Sequence, residues 1–143
     1  MKRFKGQLGF TFVETLLIIV ILGILSSTAM SSYTIWTQKV KNTVAQSDYR
    51  NLKTALIDLL NDSDSPSRII VRRMQGPGRL PAPLSVASIS KGVDVNIVHI
   101  RIQIGNQYPM TLTIMSTMHS EGNIQYLYTE YNGSVLEQVI EQA

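Results

Sequence analysis

Few side chains in this sequence are placed to do chemistry: two histidines (His99 and His119), four arginines close together (Arg68, Arg72, Arg73 and Arg79), two aspartates (Asp62 and Asp64), and Glu14, set in an otherwise apolar run. His99 falls in an apolar alternating stretch and His119 beside a turn. No third ligand stands at metal-binding spacing, which points to structural roles. Asp62 and Asp64 lack the further oxygen ligands and the later bidentate acid that a calcium loop needs, so they read as loop residues. The chain has no cysteine, which excludes disulfides, thiolate metal sites and a cysteine nucleophile. Its serines have no neighbouring base in a catalytic arrangement, and no glycine-rich phosphate loop follows a strand. The expectation is a protein that is not an enzyme and carries no metal or cofactor.

The arginines admit three readings: a solvated basic loop, contacts to Asp58, Asp62 and Asp64 of a neighbouring copy, or a polyanion such as DNA. No aromatic stacking platform interleaves with them, which makes DNA the weakest of the three. Formal charge points the same way. The chain carries +3, with 13 basic and 10 acidic side chains, yet Lys2, Arg3 and Lys5 all precede Gly9. Beyond that glycine the charges balance, and nonspecific nucleic-acid affinity rests on accumulated Lys and Arg.

Glu14 is the most informative residue. From Phe10 the chain reads FTFVETLLIIVILGILSSTA, with Glu14 its one ionisable side chain. A helix of that length, at roughly 1.5 Å per residue, covers the ~30 Å hydrocarbon core of a bilayer. An acidic group inside such a span costs roughly 2.5 to 3.5 kcal/mol on insertion scales and usually marks a function. The basic leader MKRFKGQLG favours a cytoplasmic N-terminus, although Lys39 and Lys41 beyond the span nearly balance it.

A basic leader, Gly9, then Phe10, then Glu14 as the fifth residue from Phe10, followed by the apolar run, resembles the prepilin signature of type IV pilins and pseudopilins. The resemblance implies that a membrane-embedded prepilin peptidase cuts between Gly9 and Phe10 and methylates the new N-terminus. It also implies that the Glu14 carboxylate meets the Phe10 amine of a neighbouring subunit, so that a charge costly alone is paired on assembly. At Ala29-Met30-Ser31-Ser32-Tyr33, Ser31 stands where many pilins carry proline. Proline bends a helix, so its absence predicts a continuous helix here.

A competing reading is an ordinary signal peptide, with Leu16 to Leu25 as its apolar region and Ser27-Thr28-Ala29 as the cleavage signal. It leaves Glu14 without a role and predicts a mature protein starting at Met30 rather than Phe10.

The elements that position these residues follow from periodicity. Residues 1–9 read as a cleaved leader, 10–36 as the transmembrane and assembly helix, and 37–62 as its amphipathic continuation, with Val40, Val44, Leu52, Leu56, Leu59 and Leu60 on one face and Asp48 on the polar side. Asn61 to Pro66 ends the helix. Residues 63–143 read as a globular domain with a connecting loop at 63–92 and an antiparallel sheet over 93–131. In the sheet, Val93, Val95 and Ile97 are followed at shifted parity by Ile100, Ile102 and Ile104, which predicts a strand with a bulge or a twist; Met110, Leu112 and Ile114 mark a second strand, and Ile124, Tyr126 and Tyr128 a third. Residues 134–142 read as a short closing helix.

The expected fold class is therefore α+β: a long N-terminal helix on a three- or four-stranded antiparallel sheet, the arrangement of the pilin fold. Ser88 to Tyr131 is similar to the globular parts of longer pilins, including His119 and Gly122 ahead of tyrosines. The function implied is that of a type IV pilus filament subunit, with a type II secretion pseudopilin or minor pilin as the alternative and a soluble periplasmic domain as a more distant one. The partners implied are further copies in a helical filament, the prepilin peptidase, the pilus assembly platform and the membrane. The location implied is the inner membrane before assembly, then a surface filament or a periplasmic pseudopilus.

Overall fold

The structure, a computed structural model, describes residues 11–62, 66–103, 105 and 109–142. The expected processing pair Gly9 and Phe10, together with Asp64 and Ile104, lies outside the described residues. The chain divides into two compact units, Met1–Thr37 and Gln38–Ala143.

The first unit holds the N-terminal part of helix α1, which spans Phe12–Asn61. The helix is unbroken through Ser31, as expected where a side chain with a free backbone N–H replaces proline.

The second unit contains the rest of α1 and seven strands: β1 (Arg68–Gln75), β2 (Gly78–Arg79), β3 (Ser88–Ile89), β4 (Val93–Ile102), β5 (Met110–His119), β6 (Ile124–Tyr131) and β7 (Ser134–Glu141). Five form an antiparallel sheet in the order β1-β4-β5-β6-β7, and β2 pairs with β3 in a small ribbon. The class is α+β. The sheet is larger than the three or four strands expected, because it gains one strand from each flank.

On the N-terminal side, residues 63–92 are not simply a connector. Ile69 and Val71 alternate with exposed Arg68 and Ile70 to give β1. On the C-terminal side, residues 134–142 form a strand, not a closing helix. Asn132 and Gly133 both take positive φ, 47° and 82°, and make a two-residue turn that pairs Tyr131 with Ser134. Asn-Gly is the favoured sequence for such a turn because its twist matches that of the flanking strands.

The expected bulge in residues 93–104 is likewise absent over the described part. β4 pairs without interruption with β5 from Val93↔His119 to Ile102↔Met110. Its inward series is Val93, Val95, Ile97 and His99, and Ile100 and Ile102 belong to the opposite face. The irregularity sits instead in β1 between Val71 and Met74, where Arg73 has a φ of 44°. In β5 the inward residues are Thr113, Met115, Thr117 and His119, so Met110, Leu112 and Ile114 face away from the core.

The core of this unit brings Ala45, Tyr49, Leu52 and Leu56 of α1 together with Ile69, Val71, Val93, Val95, Ile97, Met115, Tyr126 and Tyr128 of the sheet. Leu80, Leu84, Ala87 and Ile89 close one side. The helix face differs from the apolar stripe read from the sequence. Val40 is exposed and Val44, Leu59 and Leu60 are only partly covered, whereas polar Asn42 and Asp48 are buried. Each has dedicated partners: Asp48 accepts from the Ser90 backbone N–H at 2.7 Å and its hydroxyl at 3.0 Å, which meets the rule that buried polar groups are hydrogen-bonded.

Candidate assembly site

In the first unit every residue from Thr11 to Trp36 is exposed, including Phe12 at 81% and Trp36 at 64%. This stretch is long and apolar enough to cross a membrane. A continuous apolar surface of this size is not left in water by a stable monomer; lipid or other protein must cover it.

Most serine and threonine hydroxyls here are satisfied by the helix's own carbonyls without water, which suits a hydrocarbon environment. Ser26 donates to the Leu22 carbonyl at 2.7 Å, Ser27 to Ile24 at 2.9 Å, Ser32 to Thr28 at 3.1 Å and Thr37 to Thr34 at 2.8 Å. Back-bonding of this kind lets a run such as Ser26-Ser27-Thr28 sit in an apolar surround, where small side chains also admit close helix packing.

The helix begins with a reciprocal cap. Glu14 Oε2 accepts from the Thr11 backbone N–H at 2.7 Å and from the Thr11 hydroxyl at 2.8 Å. The Glu14 N–H donates back to Thr11 Oγ1 at 3.3 Å. This is a capping box, in which a Thr and a Glu three residues later satisfy donors that the first helical turn otherwise leaves open. The sequence carries its signal, Thr-x-x-Glu ahead of an apolar run, a second role for Glu14 beside its charge. Oε1 takes no hydrogen bond from a described residue. The arrangement thus fixes one oxygen of the carboxylate within the subunit and leaves the other as an acceptor.

The remaining candidate residues lie in the second unit. Arg68, Arg72 and Arg73 belong to β1 and Arg79 to β2, all exposed. Among the described residues none of the four forms an ion pair; the pairs present are Lys41–Glu121 and Lys53–Glu137. Asp58 and Asp62, their expected partners on another copy, line a cleft of about 310 Å³ with Ala55, Leu59, Pro83, Leu84 and Val86.

His99 and His119 both lie on the buried face of the sheet and do not converge on a common ligand. His99 Nδ1 is 2.9 Å from the Thr113 hydroxyl, and burial, aided by the Arg101 charge, holds its pKa below the ordinary value. His119 Nδ1 accepts from the Glu121 N–H at 3.1 Å, and burial with the Lys41 charge lowers it too. Among the described residues no group of three His, Cys, Asp or Glu could hold a metal ion. Comparison with protein-family models, with curated proteins and with solved structures gives no match to this chain.

Proposed function

We propose that the chain is the structural subunit of a type IV pilus filament, held in the inner membrane by α1 until it assembles. The observation that carries this reading is the exposed apolar helix surface from Thr11 to Trp36, interrupted by a single carboxylate at its cap. Such a helix suits two successive surroundings, a bilayer before assembly and the helices of other copies afterwards.

The mechanism follows from charge. Cleavage after Gly9 by a prepilin peptidase leaves an α-amine on Phe10, and Glu14 Oε1 then accepts from that amine on an adjacent copy. Pairing offsets the cost of an acid in an apolar medium only when geometry is good and the other lone pairs are satisfied. The cap on Thr11 meets the second condition in advance. Insertion of each subunit at the base by the assembly platform would use this pairing to set its register.

A pseudopilin of a type II secretion system, or a minor pilin, is the second reading, favoured by Ser31 and the unbroken helix there. Electron microscopy of sheared surface fibres with mass spectrometry tests the choice. The filament reading predicts abundant fibres whose N-terminal peptide starts at methylated Phe10. Periplasmic protein of the same N-terminus without surface fibres favours the pseudopilin, and a start at Met30 contradicts both.

A further inference from the structure

The two edges of the five-stranded sheet are built differently. Edge strands expose unpaired backbone groups, and proteins usually guard them with charge, bulges or short length. β1 is guarded: Arg68, Arg72 and Arg73 are exposed along it, and its register breaks between Val71 and Met74. β7 is not. It is eight residues long, regular over its whole pairing with β6, fully exposed, and free of proline and lysine. Val135, Leu136, Val139 and Ile140 are 54%, 55%, 66% and 42% exposed, so apolar side chains stand uncovered on both of its faces.

The direction of its backbone groups follows from the turn. In a two-residue hairpin the closing pair, here Tyr131 and Ser134, is hydrogen-bonded, and bonding alternates from there. Ser134, Leu136, Gln138 and Ile140 therefore turn their N–H and C=O groups toward β6. The Gln142 N–H, which donates to Asn123 at 2.7 Å, keeps the same parity. Val135, Glu137, Val139 and Glu141 turn theirs outward.

We infer that β7 is a self-pairing edge: β7 of a second copy docks on it antiparallel, about a two-fold axis through Gln138. Three registers bring outward-facing residues of the two strands together near the strand centre. One sets Glu137 against Glu137, and another sets Glu137 against Glu141. The third, centred on Gln138, sets Glu137 against Val139 and Val135 against Glu141, with no like charges opposite, a placement that antiparallel pairs favour. On the other face it places Leu136 against Ile140 and Gln138 against its own copy, where the two side-chain amides complement each other as donor and acceptor.

The arginine-bearing edge is a poorer partner for β7. Arg68 pairs with Ile100 on the outward face of the sheet, whereas Glu137 lies on the face that meets Tyr49 and Lys53 of α1. A parallel continuation of the sheet keeps those charges on opposite sides, and an antiparallel one meets the break in β1 after Val71, which leaves only Arg68–Val71 in regular register. A two-fold contact also closes on itself, so on the filament reading it ties neighbouring fibres or free subunits pairwise and is not a step along one fibre.

The register is tested with the full-length chain in detergent, which has no native cysteine. In the proposed pairing Gln138 meets Gln138 at a non-hydrogen-bonded position, with Cα atoms about 4.5 Å apart, within disulfide range. Gln138→Cys should cross-link on mild oxidation to a covalent dimer in most of the protein, whereas Glu137→Cys and Val139→Cys should not. Adding Val139→Pro to Gln138→Cys should abolish the dimer while leaving the thermal midpoint within a few degrees, because that N–H points away from β6. Adding Val139→Glu instead, which sets two carboxylates opposite each other at Glu137, should lower the dimer yield at least tenfold without the backbone change. Absence of the Gln138→Cys dimer, preferential linking at Glu137 or Val139, or equal linking in the Val139→Glu background would overturn the assignment. Association through α1 would persist in all of these variants and is thereby distinguished.

Discussion

Asn42 Oδ1 occupies the space that a side chain at position 122 would need. A Cβ added to Gly122 would lie 2.5 Å from that oxygen. The same oxygen accepts from the backbone N–H groups of Asn123 at 3.1 Å and Ile124 at 3.3 Å, and the Asn42 amide donates to Asn123 Oδ1 at 2.7 Å. One buried helix residue thus holds the turn between β5 and β6, and the turn is built around it.

Gly122→Ala should therefore destabilise the second unit by about 1 to 3 kcal/mol, the range for forcing atoms into a packed site. Asn42→Ala should lose a similar amount by leaving the half-buried N–H groups of Asn123 and Ile124 without that acceptor. Because the two act on one contact, the double variant should lose less than the sum. Thermal or urea unfolding of the four proteins in detergent measures this, and strict additivity would show that the contact is not shared.

The histidines give a pH dependence of known sign. Burial lowers the pKa of His99 and His119 in the folded chain, so below the unfolded value of about 6.5 the unfolded chain binds more protons. Stability should be full above that pH and decline as pH falls beneath it. Urea midpoints between about pH 5 and 8 should rise with pH, and His99→Gln should flatten part of the slope. A midpoint that rises on acidification through this window would contradict the buried neutral histidines.

Tyrosine titration reports the packing between helix and sheet in the second unit. Burial, then its hydrogen bond to Glu137, pushes the Tyr49 phenol up to about 12, and Tyr126 and Tyr128 are also raised, chiefly by burial. Phenolate absorbance should therefore develop late for part of the tyrosines. Glu137→Gln should bring the Tyr49 step down, since it removes a carboxylate that accepts from the hydroxyl at 3.1 Å. Synchronous titration of all tyrosines near their ordinary value would contradict the buried arrangement.

Much of the fold was legible because its strongest signals are local. Continuous apolarity from Phe12, three- and four-residue spacing beyond Trp36, and alternation in 93–102 and 110–119 each follow from one element's own period. What escaped depends on tertiary partners. Asp48 reads as a solvent-facing acid until Ser90 is brought to it, and Asn42 as a neutral surface residue until the 121–124 turn folds over it. The inward place of His99 rests on Thr113 across the strand pair. β7 is different: its signal is local, an Asn132-Gly133 hairpin turn ahead of Ser134–Glu141. The Thr11–Glu14 cap was legible too, by its three-residue spacing.

That cap makes the role of Glu14 separable. Thr11→Ala removes the two bonds made by the Thr11 hydroxyl but keeps the backbone N–H bond to Glu14 and the carboxylate itself, and should cost the helix start about 0.5 to 2 kcal/mol. Fibre yield should fall no more than a few-fold. Thr11→Ser should restore it.

Glu14→Ala, compared with Thr11→Ala in cells expressing each as the sole copy, tests the central claim most directly. Membrane-held subunit and sheared surface fibres are quantified in parallel. The assembly role of Glu14 predicts normal membrane levels of Glu14→Ala with fibres reduced at least tenfold, and near-normal fibres from Thr11→Ala. Normal fibres from Glu14→Ala, or equal loss from both variants, would contradict a carboxylate that pairs between subunits.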